Sequence, residues 1–294
     1  MDLEQMAIAR LREAARTSER CYNAPLIVTF SGGKDSSVLL ELARRSGIAF
    51  EAAHNLTTVD APDTVYFVRE TFKQLESDGI RCTVNFPFYK GQRATMWSLI
   101  PAKGMPPTRI MRYCCDVLKE RNNAKRYIAT GVRWAESRTR KTRGVYESVN
   151  ANPEKRVVLF HDNDERRRLM EVCMAKRRVV CNPIVDWSDA DVWDYINAEK
   201  IPVNPLYCKG FHRVGCIGCP MARLRMRTFE FSLFPTYKAA YIRAFDKMLE
   251  RRRERGKLDD KWRIGDTGEA VFHWWMEDGV LDGQTDLRGG GDGV

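Results

Sequence analysis

No stretch of this chain approaches the roughly 18 consecutive apolar residues that a membrane-spanning helix needs. Nor is there an internal repeat, which argues against a solenoid or an array. The opening Met1-Asp2-Leu3-Glu4-Gln5-Met6 is acidic and amphipathic, unlike the cationic start of a secretory signal, so the sequence predicts a cytoplasmic protein without a membrane partner. Acidic residues are in the minority. There are 39 Asp+Glu against 49 Lys+Arg, a formal net charge of +10, which favours an anionic partner, either a nucleotide or a nucleic-acid backbone. Cysteine is plentiful, but its count is odd. Nine cysteines in a chain of this kind argue against a disulfide framework and for metal binding or redox chemistry. With 294 residues and 44% hydrophobic content, the chain can bury a sizeable core in one or two domains.

The most informative stretch is Ser31-Gly32-Gly33-Lys34-Asp35-Ser36. It follows Leu26-Ile27-Val28-Thr29-Phe30, a short β-branched run that reads as a buried strand. It precedes Ser37-Val38-Leu39-Leu40-Glu41-Leu42-Ala43-Arg44, which has amphipathic helical spacing. Glycines between strand and helix let the backbone turn tightly and approach a ligand. The freed amides and the helix N-terminus then form an anion site. A Walker A loop is excluded, because that motif is longer and ends in Gly-Lys-Ser/Thr, whereas Asp35 follows the lysine here.

Further strands are expected near residues 48–58, 80–86, 127–132 and 179–183. Helices are expected over about 2–22, 64–77, 96–99, 112–126, 189–198 and 228–256, with Ser188 capping the helix at 189. The alternation predicts an α/β fold with a parallel sheet flanked by helices, followed by a helical, cysteine-containing C-terminal region. Domain limits are expected at 1–205 and 206–294. A charged insertion or lid over about 135–178 lies in the first domain, and the glycine-rich end of the chain reads as a disordered tail. In such sheets ligands bind beyond the carboxyl ends of strands. The 31–37 loop, Thr57–Asp60 and Gly131–Arg133 are therefore expected to converge on one pocket.

Five cysteines fall into two groups. Cys114-Cys115 lies in Arg112-Tyr113-Cys114-Cys115-Asp116-Val117-Leu118-Lys119, and Cys216 and Cys219 form a Cys-x-x-Cys turn. Two pairs from separate elements can supply four thiolates to one centre, and sulfur ligation suits zinc or an iron–sulfur cluster equally. Cys208 is a rival fourth ligand, since adjacent cysteines rarely both face a compact site. A redox dithiol at Cys216 and Cys219 is the metal-free alternative.

The pattern Ser-Gly-Gly-x-Asp-Ser resembles the PP-loop of ATP pyrophosphatases. The chain from about residue 24 to 225 is similar to the phosphoadenosine phosphosulfate reductase superfamily. The similarity rests on that loop, on Arg112–Lys119, on Thr130-Gly131-Val132-Arg133 with Glu136-Ser137-Arg138, on Asn182-Pro183-Ile184-Val185-Asp186-Trp187, on Asp191-Val192-Trp193, and on Asn204-Pro205-Leu206-Tyr207 running into Gly215-Cys216. The resemblance implies ATP held through its β,γ-pyrophosphate by Ser31, Gly32, Gly33, Lys34, Asp35, Ser36 and Ser37, with Thr58, Asp60, Gly131 and Arg133 completing the site. It implies catalysis by Lys34, Asp35, Ser36 and Arg133, with Lys34 and Arg133 stabilising phosphate charge. Asp35 and Asp60 would hold Mg2+ or a ribose hydroxyl. It also implies a 4Fe–4S cluster on cysteines drawn from Cys114, Cys115, Cys208, Cys216 and Cys219. The reductases of the superfamily carry a nucleophilic cysteine in a Glu-Cys-Gly-x-His-like tail, and no cysteine follows Cys219 here. The resemblance therefore points to the branch of DNA phosphorothioation ATP pyrophosphatases. These adenylate a DNA backbone phosphate for sulfur insertion, with DNA and a sulfur donor such as a cysteine desulfurase as partners. The alternatives are a phosphoadenylylsulfate or adenylylsulfate reductase, a tRNA thiolase, and a non-catalytic nucleotide-binding subunit.

Overall fold

A computed structural model describes residues 2–120, 126–137, 140–149, 157–159, 178–258 and 264–277. They divide into two units that interleave along the chain. The first comprises Met1–Leu56, Pro62–Asn85 and Arg121–Gly215. The second comprises Thr57–Ala61, Phe86–Glu120 and Cys216–Val294. The sequence divides the chain once, after residue 205; in the structure, short segments as early as Thr57 belong with the C-terminal part.

The first unit is built on a seven-stranded sheet. Its strands are β1 (Leu26–Thr29), β2 (Phe50–Asn55), β3 (Cys82–Asn85), β4 (Tyr127–Ala129), β5 (Tyr146–Val149), β6 (Val157–Leu159) and β7 (Arg178–Cys181), in the order β3-β2-β1-β4-β7-β5-β6. The five strands from β3 to β7 in that order pair in parallel. Around them lie α1 (Leu3–Tyr22), α2 (Lys34–Ser46), α3 (Pro62–Ser77) and α4 (Asp189–Ala198). Alternation along β1 separates two faces. Leu26 and Val28 join a large core with Leu11, Leu39, Leu42 and Phe72, while Ile27 joins Ala53, Ile128 and Val180 on the opposite face. Ile27 is in register with Ile128, and Ile128 with Val180, so that second face is a single row across three strands.

The edge of the sheet departs from the parallel expectation. β5 pairs antiparallel with both β7 and β6. The charged 135–178 stretch thus contributes the last two strands at one end of the sheet. The connection from β5 to β6 is too short for the crossover of a dozen or more residues that parallel pairing needs, so those two strands pair antiparallel. The remainder of that stretch, with most of its arginines, and the glycine-rich tail lie outside the described residues.

In the second unit the helix expected over 228–256 is two helices, Leu224–Leu233 and Pro235–Glu254. Pro235 has no amide to donate and takes the first position of the second helix, so the chain restarts there. The helix expected over 112–126 is one α-turn, Tyr113–Cys115, followed by a π-turn, Asp116–Glu120, and the residues just beyond are outside the described set. Phe231, Tyr241, Phe245 and Trp275 form the core of this unit, with ring centroids of Tyr241 and Trp275 4.7 Å apart. Among the described residues no helix is long and apolar enough to cross a membrane.

Candidate functional site

The switch in strand order places the loop. The chain leaves β1 for β2 on one side and returns to β4 on the other, so the 31–37 loop emerges between neighbours running to opposite sides. In open α/β sheets this is the point where ligands bind. α2 begins inside the motif, at Lys34. Its N-cap is Gly33, which offers no side-chain cap to the first amides. The helix dipole and those amides together favour an anion.

Ser36 organises the turn. Its Oγ donates to the Gly33 carbonyl at 2.8 Å and accepts from the Ser31 amide at 3.2 Å, and the Ser31 hydroxyl lies 3.2 Å away. Ser37 Oγ also donates to the Gly33 carbonyl, at 3.3 Å. Asn204, fully buried, donates from Nδ2 to the Gly32 carbonyl at 3.1 Å and to Thr64 Oγ1 at 3.0 Å. The Tyr207 hydroxyl accepts from the Lys34 amide at 2.8 Å.

Four charged side chains close a ring over the start of α2. Lys34 Nζ lies 2.6 Å from Asp189 Oδ1 and 3.4 Å from Asp35 Oδ1. Arg133 Nε lies 2.7 Å from Asp35 Oδ1, and its Nη2 2.5 Å from Asp189 Oδ1. Arg133 is 1% exposed and also donates to the Trp187 carbonyl at 3.2 Å. The hydrogen bond from Lys34, reinforced by that from Arg133, holds the Asp189 carboxyl below its ordinary range.

Gly131 brings the end of β4 against this loop. A Cβ there would meet the Asp35 carbonyl carbon and oxygen at 3.0 Å and the Ser36 amide nitrogen at 3.2 Å. These are backbone atoms that cannot rotate away. Gly131→Ala is therefore expected to cost about 1–3 kcal/mol through overpacking and to shift the loop. Denaturant unfolding together with pyrophosphate titration would measure both effects, and unchanged values would show that the two backbones can separate freely.

Thr58 and Asp60 lie in the second unit. Thr58 is a non-glycine residue at φ +65° whose hydroxyl accepts from the Met96 amide at 2.9 Å, and Asp60 Oδ2 accepts from the Thr57 amide at 3.0 Å. Asp60 forms an isolated β-bridge with Cys216, and the Ile217 amide donates to the Val59 carbonyl at 2.8 Å. The segment following β2 is thereby tied to the Cys-x-x-Cys turn.

That turn is braced from behind. The Tyr241 hydroxyl donates to the Ile217 carbonyl at 3.0 Å, Glu230 accepts from the Gly218 amide at 2.7 Å, and the Cys219 amide donates to the Cys216 carbonyl at 3.2 Å. Gly218 has φ +70°, and a Cβ there would meet Phe231 at 2.5 Å and Trp275 at 3.0 Å. Glycine is thus required both by its conformation and by the aromatic wall.

Cys114, Cys115, Cys216 and Cys219 all belong to this unit and act on one another electrostatically. The hydrogen bond between the adjacent pair lowers the Cys115 thiol and raises that of Cys114. The Arg112 guanidinium, 3.3 Å from Cys115 Sγ, assists the lowering. Burial raises Cys216, partly offset by Lys119, and Cys216 in turn is the main reason the Lys119 ammonium is held charged. Thiols with a lysine and an arginine beside them are the donor chemistry that a sulfur-ligated centre with excess negative charge uses. Among the described residues no group of three or more His, Cys, Asp or Glu side chains is placed to hold a metal ion. Cys208 belongs to the first unit, exposed on the 3-10 turn Pro205–Lys209.

Sequence reasoning assigns no role to Asp189, Asn204 or Tyr207, although Asn204 and Tyr207 lie in a segment that carries the family resemblance. The signal that could have found them is position: all three follow β7, beyond the carboxyl end of a strand beside the switch point.

Residues 25–222 match the family model described as the phosphoadenosine phosphosulfate reductase domain. An uncharacterized protein of Methanocaldococcus jannaschii is 30% identical over 213 residues, covering 69% of this chain and 44% of that protein. Subunit 2 of the sulfate adenylyltransferase of Rhizobium tropici is 30% identical over 215 residues, 70% of this chain and 62% of that subunit. This chain therefore spans less than two thirds of the length of these relatives. A phosphoadenylyl-sulfate reductase from Candida auris aligns at a TM-score of 0.43 with 17% identity, over 69% of this chain and 87% of that one.

Proposed function

This chain belongs to the phosphoadenosine phosphosulfate reductase domain family, and from that premise we propose that it is an ATP pyrophosphatase that adenylates an acceptor for sulfur transfer. The observation that carries the reading is the uncapped start of α2, where Lys34 and the buried Arg133 converge on one point beside a row of backbone amides.

ATP binds with its β,γ-pyrophosphate on the Ser31–Ser37 loop, against the first-turn amides of α2. Lys34 and Arg133 neutralise charge on the bridging and leaving oxygens as the α–β bond breaks. Phosphoryl-transfer catalysis consists largely of such positioning and charge stabilisation. The acceptor oxygen attacks the α phosphorus, pyrophosphate leaves, and the acceptor is left as an AMP ester. A sulfur nucleophile then displaces AMP. The contacts of Asp35 with Lys34 and Arg133 both fall on Oδ1, so its other oxygen is the one a magnesium ion would take. The acceptor is proposed to be a DNA backbone phosphate, in keeping with a net charge of +10, and the sulfur donor a cysteine desulfurase.

Cys114, Cys115, Cys216 and Cys219 would hold a 4Fe–4S cluster, with Lys119 and Arg112 balancing its charge. When bound, the cluster would supply a sulfur-binding or electron-carrying centre.

Two measurements test the reading. Chromatography of ATP incubations with and without DNA should show AMP and pyrophosphate as products; ADP, or no turnover under any condition, would overturn it. Anaerobically prepared protein should carry about four irons and four labile sulfides per chain, and stoichiometric zinc without iron would overturn the cluster assignment.

A further inference from the structure

The cations of the loop are not bare. Lys34 Nζ and Arg133 Nη2 both point at a single oxygen, Asp189 Oδ1, at 2.6 and 2.5 Å. Lys34 and Arg133 are buried, whereas the Asp189 side chain is 73% exposed. One oxygen bridging two buried cations, presented from the solvent side, is the arrangement a phosphate oxygen would adopt. Asp35, the other carboxylate of the ring, is 23% exposed and sits within the loop itself. A second contact repeats the theme. The Lys34 amide, one of the donors that α2 turns toward an anion, is taken by the Tyr207 hydroxyl at 2.8 Å. Both surrogate oxygens come from the stretch following β7, and Asp189 is the first residue of α4, whose cap is Ser188.

We propose that Asp189 is an exchangeable counter-ion of the phosphate site: it holds Lys34 and Arg133 at the spacing a phosphate oxygen needs, and it is displaced when pyrophosphate arrives. This rests on the reading of the loop as a phosphate site. Asp35 alone offsets only one of the two buried cations, and the exposed Asp189 carboxylate offsets the other. With Asp189 in place the ring of Lys34, Asp35, Arg133 and Asp189 carries no net charge, and the geometry of the cations is set before the ligand binds. Removing the aspartate charge leaves the ring with one positive charge in excess, Asp35 still offsetting the other, so an incoming phosphate no longer competes with Asp189 for the two cations. Asp189 acts through Lys34 and Arg133, and is a positioning residue.

The test is calorimetric titration of the intact chain with inorganic pyrophosphate. Asp189→Asn is expected to bind pyrophosphate about tenfold more tightly than wild type, a difference near 1.4 kcal/mol, whereas Asp189→Glu, which keeps the charge, is expected to bind like wild type. A merely structural role for Asp189 would give looser binding in both. If Asp189→Asn does not fold, Asp189→Ser removes the same charge while retaining a residue suited to a helix start, and the same tightening is expected. Equal or weaker binding by the charge-removing variant, with its thermal midpoint unchanged, overturns the inference alone. No pyrophosphate binding by any form overturns the phosphate-site reading and this inference with it.

Discussion

Ser36→Ala is expected to reduce formation of AMP and pyrophosphate from ATP by about 100- to 1000-fold, the usual cost of losing one preorganised donor at a site of developing charge. The Ser36 hydroxyl is buried and ties together both ends of the loop, accepting from the Ser31 amide and donating to the Gly33 carbonyl. Its loss has two effects. The Ser31 amide is left without that partner, and the loop relaxes from the shape in which its amides converge. Asp35→Ala is expected to be equally severe, because Arg133 Nε would lose its 2.7 Å partner. Neither residue contributes to the large apolar core, so circular dichroism should be unchanged. Product analysis of matched preparations checks this. Full retention of ATP turnover in both variants would mean that pyrophosphate does not bind this loop.

Arg133→Ala is expected to be the most destabilising substitution at the site. The guanidinium is almost wholly buried and serves Asp35, Asp189 and the Trp187 carbonyl. Removing one partner of a buried ion pair typically costs about 3–5 kcal/mol. Here the value should lie near about 3, because Asp189 is largely exposed and water screens its share. Arg133→Lys should recover little, since an ammonium cannot present donors to two carboxylates and a carbonyl at once. Urea unfolding of the three proteins measures this, and a loss below about 1 kcal/mol would show that the carboxylates rehydrate without cost.

The strand, the loop and the helix after it were legible because local signals agree there. A β-branched run, two glycines and an amphipathic stretch each specify one conformation. α4 over Asp189–Ala198 was legible for the same reason, through the cap at Ser188. Where one local signal was outweighed, the sequence misled. The hydrophobic pattern of 228–256 runs on through Pro235, yet the ring sterically ends one helix and starts another. The antiparallel edge was hidden because β5 and β6 sit among charged residues that read as a solvated insertion. At the site, Arg133 was visible through its place after a strand. Asp189 was not, because an acidic residue in a first helical turn already has a sufficient explanation in the helix dipole. Only the positions of Lys34 and Arg133 show that it does more.

The interleaving of the two units bears on how the molecule forms. Everything that the first unit requires has been made once the chain reaches Gly215. The second cannot close until Cys216 and the residues after it are available to meet Asp60. Contacts spanning more than a hundred residues form slowly, because the loop-closure entropy is lost before any contact compensates for it. During synthesis the sheet can therefore assemble before the second unit closes. Closure of the second unit is a late folding event, and the Cys114 and Cys115 thiols are open to oxidation until it is complete.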